Sequence, residues 1–150
     1  MSVPEITGIV VPVPEACDYA AHPHVTLLAP FRTRERLEDP VLQRALRDFF
    51  AGRAPWDFTL TDIRHFPEGG VTYLAPEPAT PFRTLTLELA AQYPDCPPYG
   101  GLFPDVIPHL SIDRSIDPAL LPIRARAAVV HLVHSHGTVW DVFGTFHLAG

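Results

Sequence analysis

Lysine is absent: all 11 basic residues of the 150-residue chain are arginine. Every fixed positive charge is therefore a planar fork suited to carboxylate or phosphate, although compositional bias alone accounts for such a count. Positive charge is scarce overall, since 17 acidic residues leave a formal net charge of −6. No broad basic footprint advertises long DNA or RNA, while a local cationic cleft for one or two phosphates stays open. Cysteine is nearly absent too. Cys17 and Cys96 form no CxxC pair, which argues against a disulfide scaffold or a zinc ribbon. No apolar run approaches the length of a membrane span. The opening stretch MSVPEITGIVVPVPEA carries an early acid and interrupting prolines, unlike a secretory leader. The expectation is a cytoplasmic monomer that engages no membrane. A hydrophobic content of 47% with 19% charged residues fits a folded globule, and the length fits one compact domain over residues 1–150.

Proline, by contrast, is abundant, and its 18 copies punctuate the chain into readable segments. Residues 6–13 are β-branched and read as a first strand, and residues 22–28 as a second, closed by Pro30. The polar stretch FRTRERLED reads as a loop or short helical turn. Asp39 and Pro40 suit a helix cap and first turn. Val41, Leu42, Ala45, Leu46, Phe49 and Phe50 then recur at helical spacing up to Gly52. Residues 56–65 alternate apolar Trp56, Phe58 and Leu60 with polar Asp57, Thr59 and Thr61, the pattern of a half-buried strand. FPEGG turns the chain into a partner strand at 71–75. A second helix starts at Thr80 and Pro81 and runs to about Gln92, with Phe82, Leu85, Leu89 and Ala90 on one face. A long turn-rich loop leads to a strand at 109–113. Residues 126–134 read as one further strand and 139–148 as the last, with HSHGT as the turn between them. The order ββαββαβββ, paired by hairpins with helices behind, is an α+β fold.

One short pattern occurs twice. His24-Val25-Thr26-Leu27 sits in AHPHVTLLAPF, and His109-Leu110-Ser111-Ile112 sits in VIPHLSID. Side chains alternate along a strand, so His24 and Thr26 share one face while Val25 and Leu27 share the other. His109 and Ser111 repeat the arrangement. Each copy presents an imidazole and a hydroxyl on one side and buries aliphatics on the other. Two imidazoles across a cleft can serve as general base and general acid, because the group titrates near neutral pH. The hydroxyls of Thr26 and Ser111 can donate to the non-bridging oxygens of a phosphate held between the rings.

The paired HVTL and HLSI stretches resemble the H-x-[ST]-hydrophobic signature of the 2H phosphoesterase superfamily. The nearest likeness is to its bacterial 2′-5′ RNA ligase or cyclic phosphodiesterase-like branch. PHVTLLAPF is similar to that family's first motif with its trailing Pro-Phe, and VIPHLSI to its second. The hairpin around His65-Phe66 and Val71-Thr72-Tyr73-Leu74 resembles its middle hairpin, and Trp140 with Phe146-His147-Leu148 resembles its last strand. The resemblance implies a bilobal fold in which two antiparallel sheets line a central cleft with helices packed outside. It also implies metal-free and cofactor-free action on 2′,5′-phosphodiesters, 2′,3′-cyclic phosphates of RNA ends or small nucleotides. His24 and His109 would be the catalytic pair and Thr26 and Ser111 the phosphate donors. A binding module that keeps the cleft without turnover is the alternative. Ser111 stands where many relatives carry threonine, which preserves the donor. The acidic charge favours a short nucleotide partner over long RNA.

Other residues divide between site and scaffold. Arg114, directly after the second motif, has a better prospect of reaching the cleft mouth than Arg32, Arg34 or Arg36, which suit a solvated loop. Tyr99 and Phe103 could stack on a base or pack against their lobe, and Tyr19 carries the same ambiguity. The run HLVHSH places His134 and His136 on one strand face, which makes a metal site conceivable. It lacks the H-E-x-x-H pattern or a carboxylate partner, so surface or turn histidines are expected there. His65 and His147 read as structural strand residues, and the Gly69-Gly70 and Gly100-Gly101 pairs as turns.

Overall fold

The structure is a computed structural model that describes residues 5–67, 69–101 and 105–150. Two antiparallel four-stranded sheets divide the chain into two lobes. The first sheet contains β1 (Glu5–Pro12), β2 (His24–Leu28), β7 (Val129–His136) and β8 (Val139–His147), in the order β2-β1-β7-β8. The second contains β3 (Trp56–His65), β4 (Thr72–Glu77), β5 (Leu110–Ile112) and β6 (Ile123–Ala127), in the order β5-β4-β3-β6. Each motif strand, β2 and β5, is therefore the edge of its own sheet. The two edges lie against each other at the junction of the lobes.

Strand alternation builds the core on one side of both sheets. Ile9, Val11, Val25 and Leu27 point there from the first sheet, and Phe58, Leu60, Leu74 and Leu110 from the second, all within one buried cluster. The two helices cover that side. Helix α1 (Pro40–Ala51) is capped by Asp39, whose side chain accepts a hydrogen bond from the Val41 amide at 2.9 Å. It packs Phe50 on Phe146 of β8, with ring centroids 6.1 Å apart. Helix α2 (Thr80–Gln92) sets Phe82 edge-on between Trp56 and Phe58 of β3, 5.0 Å from each. The α+β class and the bilobal arrangement thus follow the sequence expectation.

Two details differ from it. The apolar stretch read as one strand over residues 126–134 is two strands. Ile123–Ala127 pairs with β3, and Val129–His136 pairs with β1 and β8. The chain changes sheets at Ala128, so β6 and β7 belong to different lobes although their residues look continuous. Val41, grouped with the buried face of α1, is 77% exposed, while Leu46, Phe49 and Phe50 carry the packing. Its place in the first turn, next to the cap, lifts it clear of the sheet.

Candidate active site

The repeated motif places its polar residues as strand alternation requires. On β2, Val25 and Leu27 are buried and His24 and Thr26 are half-buried. On the second copy, Leu110 is buried, Ser111 is exposed and His109 stands just before the strand begins. The ladder registers match between lobes. Thr26 pairs with Val10, which pairs with His131; Ser111 pairs with Tyr73, which pairs with Arg64. Each sheet thus carries a row that starts at the motif hydroxyl and ends, two strands on, at a nitrogen-bearing side chain.

The two imidazoles are held in the same way. His24 Nδ1 lies 2.6 Å from the carbonyl oxygen of His22, and His109 Nδ1 lies 2.7 Å from that of Ile107. A carbonyl only accepts, so in each ring Nδ1 carries the proton. Nε2 is left as the atom able to take or give a proton. Burial pushes the pKa of His24 below its ordinary 6.5, opposed by the His22 carbonyl and reinforced by the nearby charge of His109. The strands that carry the two rings, β2 and β5, meet at the lobe junction. Burial also lowers the pKa of His109, opposed by the Ile107 carbonyl.

Aromatic rings surround both histidines. Trp140 reaches His24 with centroids 4.8 Å apart at a 42° tilt and stacks flat on His22 at 5.0 Å and 6°. Phe66 meets His109 edge-on at 4.9 Å, Tyr73 lies 5.5 Å away, and Tyr99 6.1 Å away. Tyr99 adopts a left-handed backbone with φ 53° and ψ 30°. That conformation is costly for a residue with a side chain, and such strain collects at functional positions. Its amide donates to Ala29 at the end of the first motif strand, 2.9 Å away. Across the same junction, the amide of Asp113 donates to Tyr19, 3.1 Å away.

The hydroxyls of Thr26 and Ser111 make no hydrogen bond to another described residue. Arg114 is engaged at the junction: its Nη1 donates to the Asp18 carbonyl at 3.5 Å, and its Nε lies 3.6 Å from Asp113. Arg32 pairs with Asp95, and Arg34 lies over the Phe143 ring. These two border a separate hollow of about 660 Å³ with Glu5, Thr7 and His134, which contains neither motif histidine. Tyr19 packs against the core. Phe103 lies outside the described residues. His65 bonds Thr72 through Nδ1 at 2.9 Å, a contact within the hairpin.

The HLVHSH histidines correct the sequence expectation. His134 is 5% exposed and faces the hollow beside Arg32 and Arg34. His131 faces the other way, into the cavity that holds His24. Both belong to β7, which runs on to His136, so the turn is shorter than HSHGT. Among the described residues, no three His, Cys, Asp or Glu side chains are grouped to hold a metal ion. Sequence reasoning missed His22, His131 and Arg64 as neighbours of the site. The signal for His131 was its odd-numbered parity with Val129, which becomes informative only once the register with β1 is known.

A family model described as the 2′-5′ RNA ligase superfamily matches residues 14–140. The chain belongs to that superfamily, the branch of the 2H phosphoesterases that its paired motifs resemble. Among solved structures, Escherichia coli LigT in its apo form superposes with a TM-score of 0.69 at 15% identity, covering 99% of this chain and 100% of LigT. TT0787 of Thermus thermophilus gives 0.64 at 23% identity, over 85% of this chain and 79% of the other. At these identities the likeness speaks for the fold. No curated protein matches the sequence.

Proposed function

We propose that this chain is a metal-independent 2H phosphoesterase that hydrolyses, or reversibly forms, 2′,5′-phosphodiester or 2′,3′-cyclic phosphate bonds of RNA ends or small nucleotides. The observation that carries the proposal is the matched tethering of the two imidazoles, Nδ1 of each held by the carbonyl two residues earlier. This arrangement fixes both tautomers and leaves two Nε2 atoms for acid–base work. In hydrolysis of a cyclic ester, the neutral ring takes a proton from the attacking water as its oxygen bonds phosphorus. The protonated ring gives its proton to the ribose oxygen that departs, and a phosphate monoester results. In the reverse direction the two rings exchange roles. Thr26 and Ser111 donate to the non-bridging oxygens, where charge builds in the transition state. Arg114 and Tyr99 hold the substrate at the mouth of the site. Solved LigT structures are described as complexes with ATP, NADP+, 3′-AMP and phosphate, which supports a short nucleotide as the ligand here.

The test is hydrolysis of 2′,3′-cyclic nucleotides and 2′,5′-dinucleotides, with a chelator present, by the unaltered chain and by His24→Ala and His109→Ala. Each variant is expected to lose about 10²–10⁴-fold in rate. Unchanged rates in both variants would overturn the proposal, as would abolition of activity by chelator alone. Tight nucleotide binding with no product over long incubation would instead identify a binding module.

A further inference from the structure

A cavity of about 570 Å³ opens beside His24, lined among others by Val10, His22, Trp140, His131 and Arg126. Its size lies within the range of small-molecule sites, and its walls are mostly apolar and aromatic with few polar groups, as such sites are. Resting on the phosphoesterase reading, we infer that this cavity holds the nucleoside of the ester and that His131 reads the polar edge of its base.

Three observations support the assignment. The first is distance along the sheet. His131 is cross-strand partner to Val10, and Val10 to Thr26, so His131 stands two strands from the phosphate-binding hydroxyl. Two strand spacings are about 10 Å. That is close to the reach of a nucleotide from its phosphorus to the far edge of its base. The second is the chemistry of the walls. Trp140, with His22 flat against it, gives an aromatic side to the cavity, and Val10 gives an apolar floor. A base has apolar faces and one polar edge, and bases settle on aromatic side chains irrespective of sequence. The third is charge. Arg126, the guanidinium that lines this cavity, is already paired with Asp57 at 2.8 Å. Glu15 stands in the same wall. With its arginine already paired and a carboxylate beside it, the lining favours an uncharged base over a second phosphate.

His131 is suited to the reading role. Its ring makes no hydrogen bond to another described residue, and burial lowers its pKa below the ordinary value. A neutral imidazole offers one donor and one acceptor, which can match the paired donor and acceptor atoms of a base edge. A site that hydrogen-bonds its ligand discriminates strongly against analogues lacking the matching group.

Equilibrium binding tests this without relying on turnover. Affinities of the four nucleoside 3′-monophosphates and of ribose 3-phosphate, which has no base, would be measured for the unaltered chain, His131→Phe and His131→Gln. Melting curves would verify that both variants fold. The expected result is a preferred base in the unaltered chain, with affinity falling about tenfold in His131→Phe. The preference among bases should flatten, ribose 3-phosphate should be unaffected, and His131→Gln should retain part of the preference. Equal losses for ribose 3-phosphate and the nucleotides would overturn the inference, as would unchanged nucleotide affinity in both variants. Loss of hydrolysis in His24→Ala is a separate readout, so failure of the base-reading role is distinguishable from failure of the phosphoesterase reading.

Discussion

The indole of Trp140 lies 4.8 Å from the imidazole of His24, although the two residues belong to opposite edge strands of one sheet. The contact requires that the sheet curl until its corners meet over the concave face. It gives His24 an aromatic cover from the last strand of the fold, while the carbonyl of His22 holds the ring from below. His22 serves both sides of this arrangement, since its own ring stacks on Trp140.

Removing that cover has a predictable sign. Burial is the leading cause of the lowered His24 pKa, so Trp140→Ala, by admitting water, raises it toward the ordinary 6.5. If His24 acts as the base, the acidic limb of the kcat/KM profile moves to higher pH, and Trp140→Phe moves it less. A profile that keeps its shape while kcat falls would assign Trp140 a purely structural role.

Stability should weaken on acidification. His24, His109 and His131 all have folded-state pKa values below the ordinary 6.5. Between those lowered values and 6.5 the unfolded chain binds more protons than the folded one. Stability is therefore intact above about pH 6.5 and declines as pH falls through the window below it. Melting temperatures at pH 7.5, 6.5 and 5.5 check this, and His131→Phe should reduce the decline. A melting temperature that rises toward pH 5.5 would contradict the account.

The two hydroxyls should matter for rate more than for folding. Thr26→Val keeps shape and strand propensity while deleting the donor. Ser111→Ala does the same at an exposed position. Each is expected to lower kcat on a cyclic nucleotide by about 10²-fold or more, the scale for one transition-state donor. Thr26→Ser should recover most of the rate, and denaturant midpoints should hold nearly constant.

The packing of α1 separates two residues that sequence periodicity placed together. Phe50 is fully buried against Phe49 and Phe146, so Phe50→Ala should cost about 3–5 kcal/mol. Val41 is 77% exposed, and Val41→Ala should stay within about 0.5 kcal/mol. Urea midpoints compare the two directly.

These contrasts mark how far the sequence carries. Local signals were legible because their cause is local. The Asp39 cap, the alternation of residues 56–65 and the two faces of the motif follow from dihedral periodicity and short hydrogen bonds. The division of residues 123–136 into two strands was not legible. No turn signal separates Ile123–Ala127, where arginine alternates with apolar residues, from the β-branched Val129–His136, and the change of sheet at Ala128 is decided by which partners lie on either side. The place of His131, and the contact of Trp140 with His24, were hidden for a related reason. Parity assigns a side chain to one of two faces, but which face forms the cleft depends on the register with β1 and on the curl of the sheet. The left-handed Tyr99 gave no local sign beyond its neighbouring glycines.

The most direct measurement of the central claim is a crystal structure of the unaltered chain with inorganic phosphate bound. The account predicts the anion between Nε2 of His24 and Nε2 of His109, within hydrogen-bond reach of the Thr26 and Ser111 hydroxyls. Phosphate seated instead in the hollow beside Arg32, Arg34 and His134, with the motif histidines empty, would contradict it.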